Sequence, residues 1–242
     1  MTWRAGNIVK ALLLAAGLGT RLRPLTDHCP KCLMPINGKP LLSYWLEKLE
    51  ESSQIDEIGI NLHYLHHQVL EFLTSLSHET PLKTIYEPRL LGTAGTIKAN
   101  EKWLKNNAFM LIHADNFSSI DIDDFIHAHL NRPKNCHITM LTFQTDKPEN
   151  CGIIHADTQG IVHNFYEKSH EYKGDIANGA VYICEPEILQ FICQIPHDDI
   201  SFSDDVIPHF LRQIFAHHIK TYHVDIGTHD NYRLANEIAT TS

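Results

Sequence analysis

The 242-residue chain has no run of about 18 uninterrupted apolar residues, the length a helix needs to cross a bilayer, so a soluble protein without a membrane partner is expected. It also lacks a basic excess. Its 20 Lys and Arg stand against 29 Asp and Glu, a formal charge of −9, whereas an electrostatic nucleic-acid binder carries a positive footprint. Any bound phosphate must therefore meet local cations. The 18 histidines make that balance pH-sensitive, since their charge changes near pH 6.5. No apolar signal-peptide core precedes the first strand-like run in MTWRAGNIVK. The six cysteines, Cys29, Cys32, Cys136, Cys151, Cys184 and Cys193, are accordingly expected as free thiols of a cytoplasmic protein. Repeats, low-complexity stretches and linkers rich in Gly, Pro and Ser are missing too, which argues for one domain over residues 1–242.

What is present is an alternation. Strand-length apolar runs (IVKALLLAA, IDEIGINLHY, KTIYE, NAFMLIHAD) alternate with amphipathic segments (LLSYWLEKLEES, LHHQVLEFLTSLS, GTAGTIKANEKWLK, IDDFIHAHLNR). Buried runs joined by helices are the pattern of a parallel sheet covered on both faces, because parallel strands need long crossovers. After Pro133 the texture changes to short strands (NCHITMLTFQ, CGIIHAD, IVHNFYEK, GAVYICE) with turn-like TQG and EYKGD between them, predicting an antiparallel part. Helices are predicted at PEILQFICQ and DDVIPHFLRQIF, and a last strand at IKTYHVDIG. The fold class is α/β: a Rossmann-like, doubly wound, mixed and mostly parallel sheet, with a part at about 8–135 for a nucleotide and a smaller antiparallel part at about 136–242 for a sugar phosphate.

At the end of the first buried run, LLLAAGLGTRLRPLT places Gly17 and Gly19 in a turn where positive φ and close ligand approach are available. Backbone N–H groups there could cradle phosphate oxygens; an ordinary tight strand-to-helix turn is an equal reading. The segment is not a P-loop, since no Gly-Lys-Ser/Thr follows, and Leu22 stands at the third glycine position of a dinucleotide fingerprint. Arg21, Arg23 and Lys31 surround the turn with planar bidentate donors and a point charge, a set suited to a triphosphate.

LLLAAGLGTRLRPLTDHCPKCLMPINGKPLL resembles the signature of the sugar nucleotidyltransferases, the NDP-sugar pyrophosphorylases, with its Gly-x-Gly-Thr-Arg turn followed by a Pro-Lys pair. The resemblance extends from about Ile8 to Asn236. Glu87-Pro88-Arg89-Leu90-Leu91-Gly92-Thr93-Ala94-Gly95 is similar to the family's base-recognition loop, and His113-Ala114-Asp115-Asn116 to its metal-binding segment, with Ala114 where Gly or Ser is more usual and a less usual His113 before it. Glu167-Lys168 is similar to the pair that holds the sugar phosphate. Ala177-Asn178-Gly179-Ala180 is similar to the small-residue segment facing the sugar, in permuted order, and Val224-Asp225-Ile226-Gly227-Thr228 to the late aspartate motif.

The resemblance implies transfer of a nucleoside monophosphate from an NTP to a sugar 1-phosphate, releasing pyrophosphate. It implies a nucleotide site of Leu14, Ala15, Ala16, Gly17, Gly19, Thr20, Arg21, Glu87, Gly92, Thr93, Ala94 and Gly95. The sugar phosphate would meet Asn116, Gly152, Glu167, Lys168, Asn178 and Gly179, and Mg²⁺ would be held by Asp115 and Asp225. Arg21, Lys31 and Asp115 would be catalytic, Arg21 stabilising charge on the leaving phosphates. Read locally, either aspartate could instead be a helix N-cap. The motifs stand nearest the mannose-1-phosphate guanylyltransferase-like members, implying GTP with mannose 1-phosphate or a manno-configured heptose 1-phosphate. UTP- or dTTP-dependent transfer to another hexose or amino sugar, and a non-catalytic nucleotide-sugar sensor, remain alternatives. A dehydrogenase on the same alternation lacks the third glycine. The left-handed β-helix that many members append is not expected, and the assembly would be a monomer or homodimer.

Two constellations are set aside. Cys29-Pro30-Lys31-Cys32 has redox or zinc spacing but no second pair. The groups His63, His66 and His67, His127 and His129, and His217 and His218 come without the carboxylate pattern that catalysis or metal binding would want.

Overall fold

The buried run Val9–Leu14 forms the first strand of a computed structural model that describes residues 9–169, 171 and 173–241. Ile8 of the expected first strand and Tyr172 of the expected EYKGD turn lie outside the described residues. In chain order the elements are β1 (Val9–Leu14), β2 (Pro35–Ile36), β3 (Lys39–Pro40), α1 (Leu41–Glu51), β4 (Ile55–Leu62), α2 (His66–Ser75), β5 (Leu82–Tyr86), α3 (Gly92–Ala99), α4 (Glu101–Leu104) and β6 (Phe109–His113). There follow β7 (Asn116–Ser118), α5 (Ile122–Asn131), β8 (Ile138–Gln144), β9 (Gly152–Ala156), β10 (Val162–Glu167), β11 (Ile176–Cys184), α6 (Pro186–Gln194), β12 (Ile214–His218), β13 (His223–Asp225) and α7 (His229–Thr241). The class is α/β, with a mixed, mostly parallel central sheet and smaller antiparallel ribbons. No helix among the described residues is long and apolar enough to cross a membrane.

Two compact units interleave along the sequence. The first holds Lys10–Leu90, Ile112–Ile122 and the chain from Tyr222 onward; the second holds Val9, Leu91–Leu111 and Asp123–Thr221.

In the first unit β1, β4 and β5 are neighbours in that order, and β4 and β5 run parallel from Ile58↔Leu82 to Leu62↔Tyr86. Helix α1 buries Leu41, Leu42, Trp45, Leu46 and Leu49, one stripe at helical spacing, each such side chain contributing about 1.5–3 kcal/mol of burial. Residues distant in sequence meet in the ribbon of β7 and β13, whose register sets Val224 against Phe117 and Asp225 against Asn116. Behind the ribbon, Leu22, Met34, Ile36, Leu41, Phe117, Val224, Ile226 and Ala235 form a buried cluster against which Tyr232, Ile238 and Ala239 of α7 pack.

The second unit is largely antiparallel, as its texture predicts. Strand β9 pairs with β10 and β11, and β8 pairs antiparallel with β11 and parallel with β12. An Ile161↔Phe215 bridge returns the last of these strands to the start of β10. A bulge between Asn178 and Tyr182 shifts the β11–β8 register. There Ala180 takes φ 52°, its N–H donating to Asn178 Oδ1 at 3.0 Å, while Asn178 Nδ2 donates to Tyr182 Oη at 2.7 Å.

Two expected elements differ. DDVIPHFLRQIF is not one helix but a π turn over Phe202–Val206, a 3₁₀ turn over Ile207–Phe210, and then β12. Pro208 lacks an N–H and so removes a donor from any helix running through it, and Arg212 turns out at φ 68°. IKTYHVDIG keeps strand geometry only at His223–Asp225. The polar segment after it, expected as no element, is α7, a helix with a single fully buried residue, Ala235.

Candidate active site

At the end of β1 the chain turns through Gly19, which adopts φ 63° in the left-handed region, and its carbonyl accepts the Thr26 hydroxyl at 2.7 Å. Gly17 does not need positive φ, and a Cβ there would meet nothing within 4 Å. Thr20, Arg21 and Leu22 form one 3₁₀ turn, and Lys31 opens another after Pro30. Leu14 enters the turn with its carbonyl accepting Ala114 N–H, which ties the turn to the segment carrying Asp115.

Lys31 is buried, 8% exposed, and its ammonium donates to Asp115 Oδ2 at 2.5 Å and to Asp225 Oδ1 at 2.9 Å. Asp115 and Asp225 are adjacent because the β7–β13 register puts Asp225 opposite Asn116 and because Ile226 N–H donates to the Asp115 carbonyl at 3.0 Å. Neither caps a helix: Asp115 precedes β7, and Thr228 accepts the first N–H groups of α7. Burial alone would lower the Lys31 pKa, but Asp115 and Asp225 raise it above the ordinary lysine value. Burial likewise works to raise Asp115, yet Lys31 and then His113 hold its carboxyl below the usual range. Lys31 and Asp115 are therefore both charged at neutral pH. Arg21 completes the set, its Nη2 3.6 Å from Asp225 Oδ2 and its side chain 63% exposed.

Gly227 is the residue that lets Arg21 approach. A Cβ there would lie 2.6 Å from Arg21 Nη2 and 3.0 Å from both Asp225 carboxylate oxygens, and the Gly227 N–H donates to Asp225 Oδ1 at 2.8 Å. Asn231 Nδ2 donates to the Asp225 carbonyl at 2.9 Å and anchors that residue.

The donor set fits a hard divalent cation. Two carboxyl groups within reach of one ammonium offer oxygen ligands, and Mg²⁺ commonly takes one or two carboxylates and completes its shell with water and substrate phosphates. Among the described residues no group of three or more His, Cys, Asp or Glu side chains could hold a metal, so phosphate and water oxygens would have to supply the rest.

The structure thus brings Arg21, Lys31, Asp115 and Asp225 together beside the Leu14–Thr20 turn. Asn116 is buried at their edge, its amide donating to the His113 carbonyl and its own carbonyl accepting Trp45 Nε1. Glu87, 3% exposed, accepts from Asn61 Nδ2 at 3.0 Å. Asn61 was not singled out from sequence, although a polar residue in the buried half of a strand is a signal worth following.

Gly92, Thr93, Ala94, Gly95, Gly152, Glu167, Lys168, Asn178 and Gly179 belong to the second unit. At the start of α3 the N–H groups of Ala94 and Gly95 donate to the Ile200 carbonyl and Thr93 Oγ1 accepts Phe202 N–H, so this segment is built around residues 200–202. Gly152 lies opposite Glu167 in the β9–β10 register, and a Cβ on it would meet Phe165 at 2.7 Å and Glu167 Oε2 at 2.8 Å. Lys168 extends into solvent from a left-handed residue (φ 44°), its Nζ 3.2 Å from Glu167 Oε1.

The constellations set aside stay outside the chemistry. All six cysteines are free, and burial pushes the Cys32 thiol up to about 12. His63 is bonded to the Glu87 carbonyl, His66 stacks with His67 and Tyr86, and His217 pairs with Asp124.

The sequence profile of the family described as nucleotidyl transferase matches residues 10–242. A putative mannose-1-phosphate guanyltransferase of Sulfolobus acidocaldarius is 29% identical over 95% of this chain and 62% of its own length. The D-glycero-alpha-D-manno-heptose 1-phosphate guanylyltransferase of Campylobacter jejuni is 29% identical over 93% of this chain and 97% of that protein. The chain thus spans about three fifths of the mannose-1-phosphate relative and nearly all of the heptose one. Among solved structures, HddC from Yersinia pseudotuberculosis, also solved in complex with GMP-PN, superposes with a TM-score of 0.80 at 29% identity, covering 96% of this chain and all of its own. A putative glucose-1-phosphate thymidylyltransferase from Bacillus anthracis, 22% identical, shares the fold at a TM-score of 0.86 over 96% of this chain and 95% of that one. With its glycine turn, paired aspartates and bridging lysine in place, the chain belongs to the nucleotidyl transferase family.

Proposed function

We propose that the protein transfers GMP from GTP to a manno-configured sugar 1-phosphate, mannose 1-phosphate or a heptose 1-phosphate, releasing pyrophosphate. The observation that carries the proposal is the buried Lys31 ammonium held between Asp115 and Asp225 with Arg21 alongside, next to a backbone turn open to an anion. Guanylyl transfer is supported by the relatives named for mannose and heptose 1-phosphates and by HddC in its complex with GMP-PN.

The chemistry asks for charge and position more than for covalent participation. A sugar-phosphate oxygen attacks the α-phosphorus in line, and both reactants are polyanions that repel each other. Arg21 neutralises charge developing on the departing pyrophosphate, and Lys31 holds the triphosphate. The exposed Lys168 binds the sugar phosphate and the partly buried Glu167 a sugar hydroxyl. Asp115 and Asp225 would hold Mg²⁺, which when bound supplies charge neutralisation and a template for the phosphates. The Asp115 carboxylate is kept ionised for that purpose by Lys31 and His113.

A matrix of GTP, UTP, dTTP, ATP and CTP against mannose, heptose, glucose and N-acetylglucosamine 1-phosphates, read by pyrophosphate release with and without Mg²⁺, tests the reading. GTP with a manno-configured sugar should turn over fastest, and only with the metal. Binding without release in every pair would replace the enzyme with a sensor, and turnover in excess chelator would remove the metal role of the two aspartates.

A further inference from the structure

Asn61 is 4% exposed in β4, with all of its amide directed at neighbours of the nucleotide turn. Its Oδ1 accepts two consecutive backbone N–H groups, Ala15 at 2.6 Å and Ala16 at 3.1 Å, and its Nδ2 donates to Glu87 Oε1 at 3.0 Å. Two N–H donors require the oxygen on one side, and a carboxylate requires the NH₂ group on the other, so the contacts fix the amide in one orientation. Glu87 is itself anchored where β5 ends, its N–H donating to the Leu62 carbonyl at 2.9 Å and its carbonyl accepting from His63 Nδ1 at 2.7 Å.

We propose that Asn61 is a positioning residue that sets the backbone of the nucleotide turn, and that Glu87 acts through it by locking the amide in the orientation the turn needs. Ala15 and Ala16 then serve the nucleotide by their placement, because their N–H groups are engaged by Asn61, and the N–H groups available to phosphate begin at Gly17. A turn held from behind by a buried side chain is ordered before the nucleotide arrives, which lowers the conformational cost of binding. The kinetic part of this inference rests on the nucleotidyl-transfer reading; the backbone part does not.

Two variants separate the roles. N61A removes the acceptor, so the Ala15 and Ala16 amides should exchange hydrogen faster in the nucleotide-free protein. The Ala114 amide, which donates to the Leu14 carbonyl from the other side, should keep its protection. N61D keeps an acceptor for both N–H groups but sets a carboxylate against Glu87. It should raise the KM for GTP on the order of tenfold or more, the worth of the one lost hydrogen bond together with the repulsion of two facing carboxylates, with a smaller change in kcat. In an E87Q background the Gln amide can donate to the new carboxylate, so adding N61D there should raise KM by less than about threefold.

Unchanged exchange at Ala15 and Ala16 in N61A would overturn the positioning role. An equal KM penalty for N61D in both backgrounds would overturn the part played by Glu87. If the unmodified protein released pyrophosphate from no substrate pair, the functional reading would fail instead, and the exchange measurement would still decide the role of Asn61.

Discussion

Gly227→Ala presses first on the seat of Arg21 and, less closely, on Asp225, whose carboxylate oxygens would lie 3.0 Å from the new methyl. The Gly227 φ lies outside the left-handed region, so alanine meets no backbone strain, and the added methyl would be 2.6 Å from Arg21 Nη2. An ordinary contact is about 3.5–4.0 Å, so the guanidinium must retreat by roughly 1 Å. Arg21 is 63% exposed and free to do so. The folded state therefore loses little: about 0.5 kcal/mol of surface rearrangement, offset by the 0.4–1 kcal/mol that Gly→Ala typically removes from unfolded-chain entropy. Catalysis should lose much more. A displacement of about 1 Å in a positioned group can lower a rate by about a hundredfold, and the ceiling is the roughly thousandfold worth of a phosphoryl-transfer arginine. We expect kcat/KM to fall between about tenfold and a thousandfold while the thermal midpoint moves by less than about 3 °C. Steady-state pyrophosphate release and a calorimetric melt give both numbers, and Arg21→Ala sets the floor. In that background the alanine at 227 should cost much less than it does alone, the remainder coming from its contact with Asp225. Full activity in the single variant, or an undiminished penalty in the double one, would refute the idea that Gly227 is there for Arg21.

Lys31→Met strips two ionised carboxylates of their shared counter-ion. Since the Asp115 and Asp225 side chains are 34% and 46% exposed, the stability loss should be about 1–2 kcal/mol, below the 3–5 kcal/mol of a wholly buried pair, with turnover falling by orders of magnitude; a variant with normal turnover would remove Lys31 from the chemistry. His129 is buried between Thr139 and Glu185, and burial holds its pKa below 6.5. Below that value the unfolded chain takes up a proton that folded His129 refuses until its own lower pKa is reached. Stability should therefore fall as pH falls through this window, with a limiting slope of about 1.4 kcal/mol per pH unit from this group. Urea unfolding between pH 7.5 and 5.5 should show a shallower slope for His129→Gln, and identical slopes would disprove the assignment. Alkylation of the native protein at pH 8, followed by mass spectrometry, should modify the half-buried Cys29, Cys151 and Cys193 before the buried Cys32, Cys136 and Cys184. Early labelling of Cys32 would contradict the high pKa that its burial imposes.

The parts of the site that could be read from sequence are those whose chemistry is local. A glycine turn followed by Arg21 and Lys31, and two aspartates ending strand-like runs, announce themselves by residue type and spacing. Asn61 and Gly227 do not, because their roles exist only across a pairing: one depends on β4 passing behind the turn, the other on β13 lying beside β7. Helix α7 escaped for a different reason. Its inward face is made of Tyr232, Ala235, Ile238 and Ala239, too thin an apolar stripe to stand out in HDNYRLANEIATT, and its packing against the Phe117–Val224 cluster comes from tertiary contact rather than periodicity. At DDVIPHFLRQIF the apolar spacing suits a helix, yet Pro208 breaks the hydrogen-bond ladder and the following residues join a sheet.

The three-residue ribbon of β7 and β13 also sets when the protein becomes competent. Lys31 and Asp115 are translated well before Asp225, which brings the second carboxylate, and its register is held by the few residue pairs from His223↔Ser118 to Asp225↔Asn116. A slip of one residue in so short a ribbon turns Asp225 to the opposite face and away from Lys31. A nascent chain, or one clipped before Tyr222, would carry the glycine turn with Lys31 paired to Asp115 alone, a site that under the proposed function lacks its second acid.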